Sequence, residues 1–345
     1  MKKHIATAVV LVILLVLVYF QFRTWKSFDW HTLIEQTRGM SPLRILSATA
    51  LIYFVYFLRA ARWKIFLKPR CNASLPGLIA PQFIGFTGLA LLGRPGEFVR
   101  PYLIARKENL PISSQLAVWA VERVFDMGTV ALMLGLTLFF YADRYAAFPQ
   151  IHRGGIMLLT AVGAIAVVVF AIWWKSDLIA ALFGGIAGRF SKRIGSIVRD
   201  RVTSFAEGLH TISDFKSFLA LMALSFAIWF CIALSYWEVV HAYPEGPQTT
   251  ALHQMALPDM LLVMASSMAG SIVQLPGVGG GSQLAVIGIL SSHIFRLPNE
   301  LAVSCGIMLW LVTFVSVVPA GLFLAHRERL SLRQLSQESH IRPEA

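Results

Sequence analysis

The chain has 345 residues, of which 57% are hydrophobic and only 14% charged, with a formal net charge of +12. Soluble domains carry about 25% charged residues, so this balance excludes an ordinary soluble enzyme, and repeated apolar runs of about 20 residues describe a polytopic membrane protein. The excess cations then belong to loops that meet anionic lipid and fix orientation, and nucleic acid is not expected as a partner.

Met1, Lys2 and Lys3 open onto an apolar run at 5–22. It is longer than the core of a usual signal peptide and no small-x-small cleavage site follows, so it is expected to be a retained first span. A second span is expected at 45–58. It runs into Arg59, Arg62, Trp63, Lys64, Lys68 and Arg70. Arg59, Arg62 and Trp63 read as an interfacial anchor. The three cysteines, Cys71, Cys231 and Cys305, have no metal-ligand spacing.

Residues 75–93 are apolar but interrupted by Pro76, Pro81, Gly85, Gly88 and Gly93, and they lead into Arg94, Glu97 and Arg100. This reads as a re-entrant hairpin or a pair of half-helices, because irregular backbone at membrane depth is tolerated only inside protein or beside a cavity. Further spans are expected at 116–141 and 154–174. Residues 175–216 then alternate apolar and basic positions at helical spacing. They read as an amphipathic pair on the membrane surface, or as a solvated connector packed on the bundle. A sixth span at 218–240 follows. Residues 258–295 form a second broken segment, interrupted at Pro276, Gly277, Gly279, Gly280 and Gly281. The last span is 301–325, and 326–345 is a polar tail.

If the N-terminus is inside and each broken segment returns to its side of entry, Arg23, Lys26, Arg38, Arg44, Arg144, Arg153 and Arg296 lie outside. All other lysines and arginines except Arg123 lie inside. That asymmetry predicts both termini in the cytoplasm. The expected fold is a single all-α membrane domain over 1–325, with about six full spans and two broken ones. It divides into halves at 1–141 and 154–325 with opposite orientation, each with its broken segment third. Interrupted segments at matching places in inverted repeats point to a transporter's binding site.

Glu122 and Asp126 are four residues apart on an apolar helix and share a face, while Arg123 points about 100° away. Charges at this depth are costly and usually functional. One reading is a structural bridge from Glu122 or Asp126 to Arg94 or Arg100; another is contact with a substrate. Arginine's fork matches a phosphate, so Arg94 and Arg100 are candidate ligands for one, with Glu97 orienting them. Gly277, Gly280 and the glycines between allow unwound backbone with free N–H groups, or simply close helix packing. The run lacks the lysine and hydroxyl of a nucleotide-binding loop. The nine histidines form no ligand pair, and no metal or cofactor is expected.

The order Arg59-x-x-Arg62-Trp63, Arg94-x-Gly96-Glu97-x-x-Arg100, Glu122-Arg123-x-x-Asp126 and a late Pro276-Gly277 resembles the lysylphosphatidylglycerol synthase transmembrane-region family. The resemblance covers about 5–325. It implies an all-helical, flippase-like membrane protein with re-entrant segments, whose longer members carry a soluble aminoacyl-transferase domain after this region. Here a short polar tail follows Ala325, so synthase activity is not implied. Some relatives look associated with polyprenyl-linked lipids. In the family's late motif a glycine and a glutamate are usual where this chain has Val278 and Gln283. Gln283 still hydrogen-bonds but cannot carry charge.

The reading is a monomeric or dimeric protein of the bacterial inner membrane that helps an anionic or phosphate-linked lipid cross between leaflets. The expected headgroup site is Arg94, Glu97, Arg100, Glu122, Arg123, Asp126, Gly277, Gly280 and Gln283. The alternatives are a membrane-embedded lipid-modifying transferase and a non-transporting subunit associated with lipid-synthesis enzymes.

Overall fold

The computed structural model describes residues 34–35, 37–145, 149–189, 191–209, 214–271 and 280–328. The expected first span at 5–22, the run that includes Pro276 and Gly277, and most of the tail lie outside the described residues. All described elements are helical: α1 (Pro42–Leu67), α2 (Leu75–Leu92), α3 (Val99–Lys107), α4 (Ile112–Phe140), α5 (Pro149–Trp174), α6 (Ser176–Gly188), α7 (Lys192–Leu209), α8 (Phe215–Val240), α9 (Thr250–His253), α10 (Leu257–Gly270), α11 (Gly281–Ser291), α12 (Asn299–Trp310) and α13 (Val317–Arg327).

Among the described residues, five rods are long and apolar enough to cross a membrane: α1, α2, α4, α8, and α12 with α13, which a π-turn at Leu311–Val315 joins. The protein is therefore an all-α, multi-pass membrane protein. α1 and α8 run antiparallel. At one end Ser41 donates its N–H to Ala242 O at 2.7 Å, and at the other Lys68 lies 3.7 Å from Asp214.

Two departures from the sequence reading matter for the site. First, α1 continues two turns beyond the apolar run, so Arg59 and Arg62 lie inside a spanning helix. Second, α2 is unbroken over 18 residues. Pro76 sits in its first turn, where no backbone donor is needed, and Ser74 Oγ accepts the Gly77 N–H at 3.2 Å. The actual break is Gly93, at φ 70°, a conformation that glycine adopts without strain.

From Gly93 the chain makes a 3₁₀ turn, Arg94–Phe98, and α3 returns along α2. The return is close. A Cβ on Gly96 would lie 2.1 Å from Gly88 O, and a Cβ on Gly85 would lie 2.4 Å from Arg100 Cβ. α10 and α11 make a second hairpin, in which a Cβ on Gly270 would lie 2.2 Å from Gly281 O. The hairpins enter from opposite ends of the bundle. Lys107, closing the first, pairs with Glu328 at 3.0 Å. Asp259, opening the second, pairs with Arg144 beyond the far end of α4. That carboxylate holds the Arg144 guanidinium above its ordinary value, and Tyr145 donates to it at 2.7 Å.

α6 and α7 form an antiparallel pair closed through Gly184 and Gly195. Ile179 and Val202 pack into the bundle, while Leu178, Leu182, Ile186, Ile194 and Ile197 stay exposed.

Candidate functional site

The apolar core of the described residues is in three parts, and two of them meet at the site. Tyr56 and Val130 belong to one, and Ala60, Trp63, Val121 and Phe125 to the other. The charged residues of α1 and α4 sit at the seam. Arg62 and Glu122 are 0% exposed, Asp126 1%, Arg100 4% and Arg59 5%.

Each helix supplies side chains one turn apart, the spacing that puts them on one face. α1 contributes Arg59, Arg62 and Trp63. α4 contributes Glu122, Asp126 and Thr129, α2 contributes Gln82 and Phe86, and α8 contributes Ser225 and Trp229. Arg100 comes from α3, brought in by the small Gly85.

Glu122 is the hub. Arg62 Nη2 donates to its Oε1 and Arg100 Nη2 to its Oε2, each at 2.5 Å. Arg100 Nη1 donates to Oε1 at 3.1 Å, and Trp63 Nε1 donates to Oε2 at 3.0 Å. Arg62 Nη1 donates to Asp126 Oδ1 at 2.7 Å and to Ser225 Oγ at 3.0 Å. Trp229 Nε1 also donates to Asp126 Oδ1, at 3.1 Å. Arg123 Nη2 lies 2.9 Å from Asp126 Oδ2, with its side chain 29% exposed. Gln82 Oε1 accepts from Arg100 at 3.1 Å.

Arg59 is held differently. Its Nη1 is 3.7 Å from both Glu122 and Asp126, beyond hydrogen-bond range. Its guanidinium lies 4.7 Å from the Phe86 ring and 6.0 Å from the Trp229 ring. Phe86 also covers Arg100, at 5.2 Å. Among the described residues, Arg59, Arg62, Arg100 and Arg123 face Glu122 and Asp126 alone, so the cluster carries two positive charges in excess.

The sequence placed these residues unevenly. Arg100, Arg123, Glu122 and Asp126 are brought together. Arg59, Arg62 and Trp63 are corrected from interfacial anchors to buried members of the same cluster, because α1 extends past its apolar run. Arg94 is not in the cluster. It donates to Glu97 and to Ser271 O, both at 2.5 Å, and so joins the tips of the two hairpins. Gly280, at φ 60°, precedes α11. Gln283 is buried and lines a separate narrow gap with Tyr236, Ser267 and Thr313, which includes none of the clustered charges. Gln82, Ser225, Thr129 and Trp229 were missed. The only signal was a polar or indole side chain within an apolar run.

Residues 5–321 match the lysylphosphatidylglycerol synthase TM region family. The chain belongs to that family. It is also 36% identical over 103 residues to the glycosyltransferase AglD of Haloferax volcanii. That alignment covers 29% of this chain and 16% of the archaeal protein. No solved structure matches. A place among membrane-embedded, lipid-related proteins follows from the family; the match to AglD is too short to extend that protein's activity here.

Proposed function

We propose that this protein carries a phosphate-bearing, anionic lipid headgroup between the leaflets of the bacterial inner membrane. The observation that supports this most is the uncompensated positive charge. A charge near the centre of a span costs roughly 2.5–3.5 kcal/mol on an insertion scale. A purely structural cluster would be expected to balance its signs. A site that takes an anion needs the surplus.

The hairpins support movement as well as binding. They enter from opposite ends and touch through Arg94 and Ser271, which suits the inverted halves expected from the sequence. Arg100 rides on the first hairpin, so shifting it opens the Glu122 bridge and uncovers Arg59 together. Lys68, Arg70, Arg106, Lys107 and Lys216 flank the end where that hairpin opens, and we assign this end to the cytoplasm.

Reconstitution tests the reading. Headgroup-labelled phosphatidylglycerol in liposomes should become accessible to a membrane-impermeant quencher from both leaflets only when the protein is present. Full protection of the inner leaflet by folded protein would reject it.

The relative named a glycosyltransferase favours a second reading, a lipid-modifying transferase with Glu97, Glu122 or Asp126 as base. Glu122 and Asp126 are each ion-paired with more than one arginine, which weighs against either as a free base. Formation of a new product from labelled lipid and a sugar or aminoacyl donor would decide for the transferase.

A further inference from the structure

We infer that Arg59 is the residue that receives the anionic phosphate oxygen, with Arg62 and Arg100 acting as the fixed frame around it. This rests on the proposed headgroup reading and names the atoms that carry it. Arg59 is 95% buried by its 5% exposure, yet its Nε and Nη1 donate to nothing. Buried N–H groups are nearly always paired, and an unpaired one is costly. Arg62 and Arg100 spend their forks on Glu122, Asp126, Ser225 and Gln82. Arg59 alone among the three buried arginines holds no hydrogen bond to a carboxylate.

Other polar atoms of the same helices lack hydrogen-bond partners as well. Arg62 Nε, Arg123 Nε and Gln82 Nε2 are likewise buried donors without partners, and the Thr129 hydroxyl, one turn from Asp126, is unpartnered too. The acceptors without a hydrogen bond are fewer, Gln115 Oε1 and Asp126 Oδ2, the latter ion-paired with Arg123. A surplus of donors beside a surplus of positive charge selects an anion with several acceptor oxygens. A lipid rather than free phosphate fits, because the cover over Arg59 is the half-buried ring of Phe86 on a spanning helix. The headgroup enters as the first hairpin moves that ring aside.

The test is equilibrium binding to purified, folded protein in a neutral detergent. The probes are dihexanoyl-phosphatidylglycerol, dihexanoyl-phosphatidylcholine and inorganic phosphate, measured on wild type, Arg59→Gln and Arg59→Lys. Thermal midpoints without probe are recorded alongside. The expected result is selective binding of the phosphatidylglycerol probe, weakened about tenfold or more in Arg59→Gln and less in Arg59→Lys. The probe-free midpoint of Arg59→Gln should equal or exceed wild type, since the guanidinium removed makes no hydrogen bond to either carboxylate and adds to a cluster already in positive excess. A structural Arg59 would lower that midpoint and leave binding intact, and that outcome overturns the inference. Equal binding of the choline probe, or binding of inorganic phosphate alone, also overturns it. Binding is read without transport. Arg59-dependent binding without translocation would reject the transporter reading and keep the anion site. Translocation insensitive to Arg59→Gln would do the reverse.

Discussion

Replacing Glu122 by glutamine keeps the side chain's shape and removes its charge. Glu122 accepts four hydrogen bonds, from Arg62, Trp63 and twice from Arg100. Glutamine retains one acceptor oxygen, and its amide N–H₂ faces guanidinium donors where an acceptor stood. Hydrogen bonds to charged groups are worth about 1.5–3 kcal/mol each, and removing one member of a buried ion pair costs about 3–5 kcal/mol. Losing the two strongest contacts gives about 3–6 kcal/mol on the first basis, so Glu122→Gln should lose about 3–5 kcal/mol. Unfolding in mixed micelles as a function of SDS fraction reads this directly. Arg100→Gln with Glu122→Gln should cost about 1–3 kcal/mol less than the sum of the single changes, because the partners share one bridge. A Glu122→Gln loss under about 1 kcal/mol, strictly additive with Arg100→Gln, would refute the hub role.

Gly85→Ala places a Cβ against Arg100, so α3 must move; a loss of about 1–3 kcal/mol is expected in the same unfolding assay. A reducible bis-thiol crosslinker joining Arg94→Cys to Ser271→Cys should fix the hairpin tips together and stop lipid translocation, with reductant restoring it; a crosslinked protein of undiminished activity would show that the tips need not part. Arg144→Gln leaves the buried Asp259 carboxylate with only the Tyr145 hydroxyl and the Ala256 N–H, so stability should fall by about 1–3 kcal/mol. Amide hydrogen exchange at the start of α10 should rise with it, as Asp259 loses its charged partner.

Glu122 and Asp126 were legible in the sequence because two carboxylates one turn apart in an apolar run have no cheap explanation. Arg100 was legible for the same reason. Arg59 and Arg62 were not, since the cations that follow them, Lys64, Lys68 and Arg70, look like a membrane boundary. Only the contacts of α1 with α4 and α8 show that Arg59, Arg62 and Trp63 are buried within the bundle. Prolines and glycines misplaced the break in α2. Pro76 is harmless in a first turn, and Gly85 and Gly88 serve close approach by α3. Gln82, Ser225 and Trp229 carry no pattern of their own, and their roles emerge only when three helices meet around Glu122.

The central claim is that an anionic headgroup crosses through the arginine cluster. The most direct measurement is the translocation rate of headgroup-labelled phosphatidylglycerol and phosphatidylcholine in proteoliposomes, for wild type, Arg59→Gln and Glu122→Gln at equal amounts of folded protein. The account predicts rapid, phosphatidylglycerol-selective translocation by wild type and its loss in both variants. Translocation of both lipids at one rate, unchanged in the variants, would contradict it.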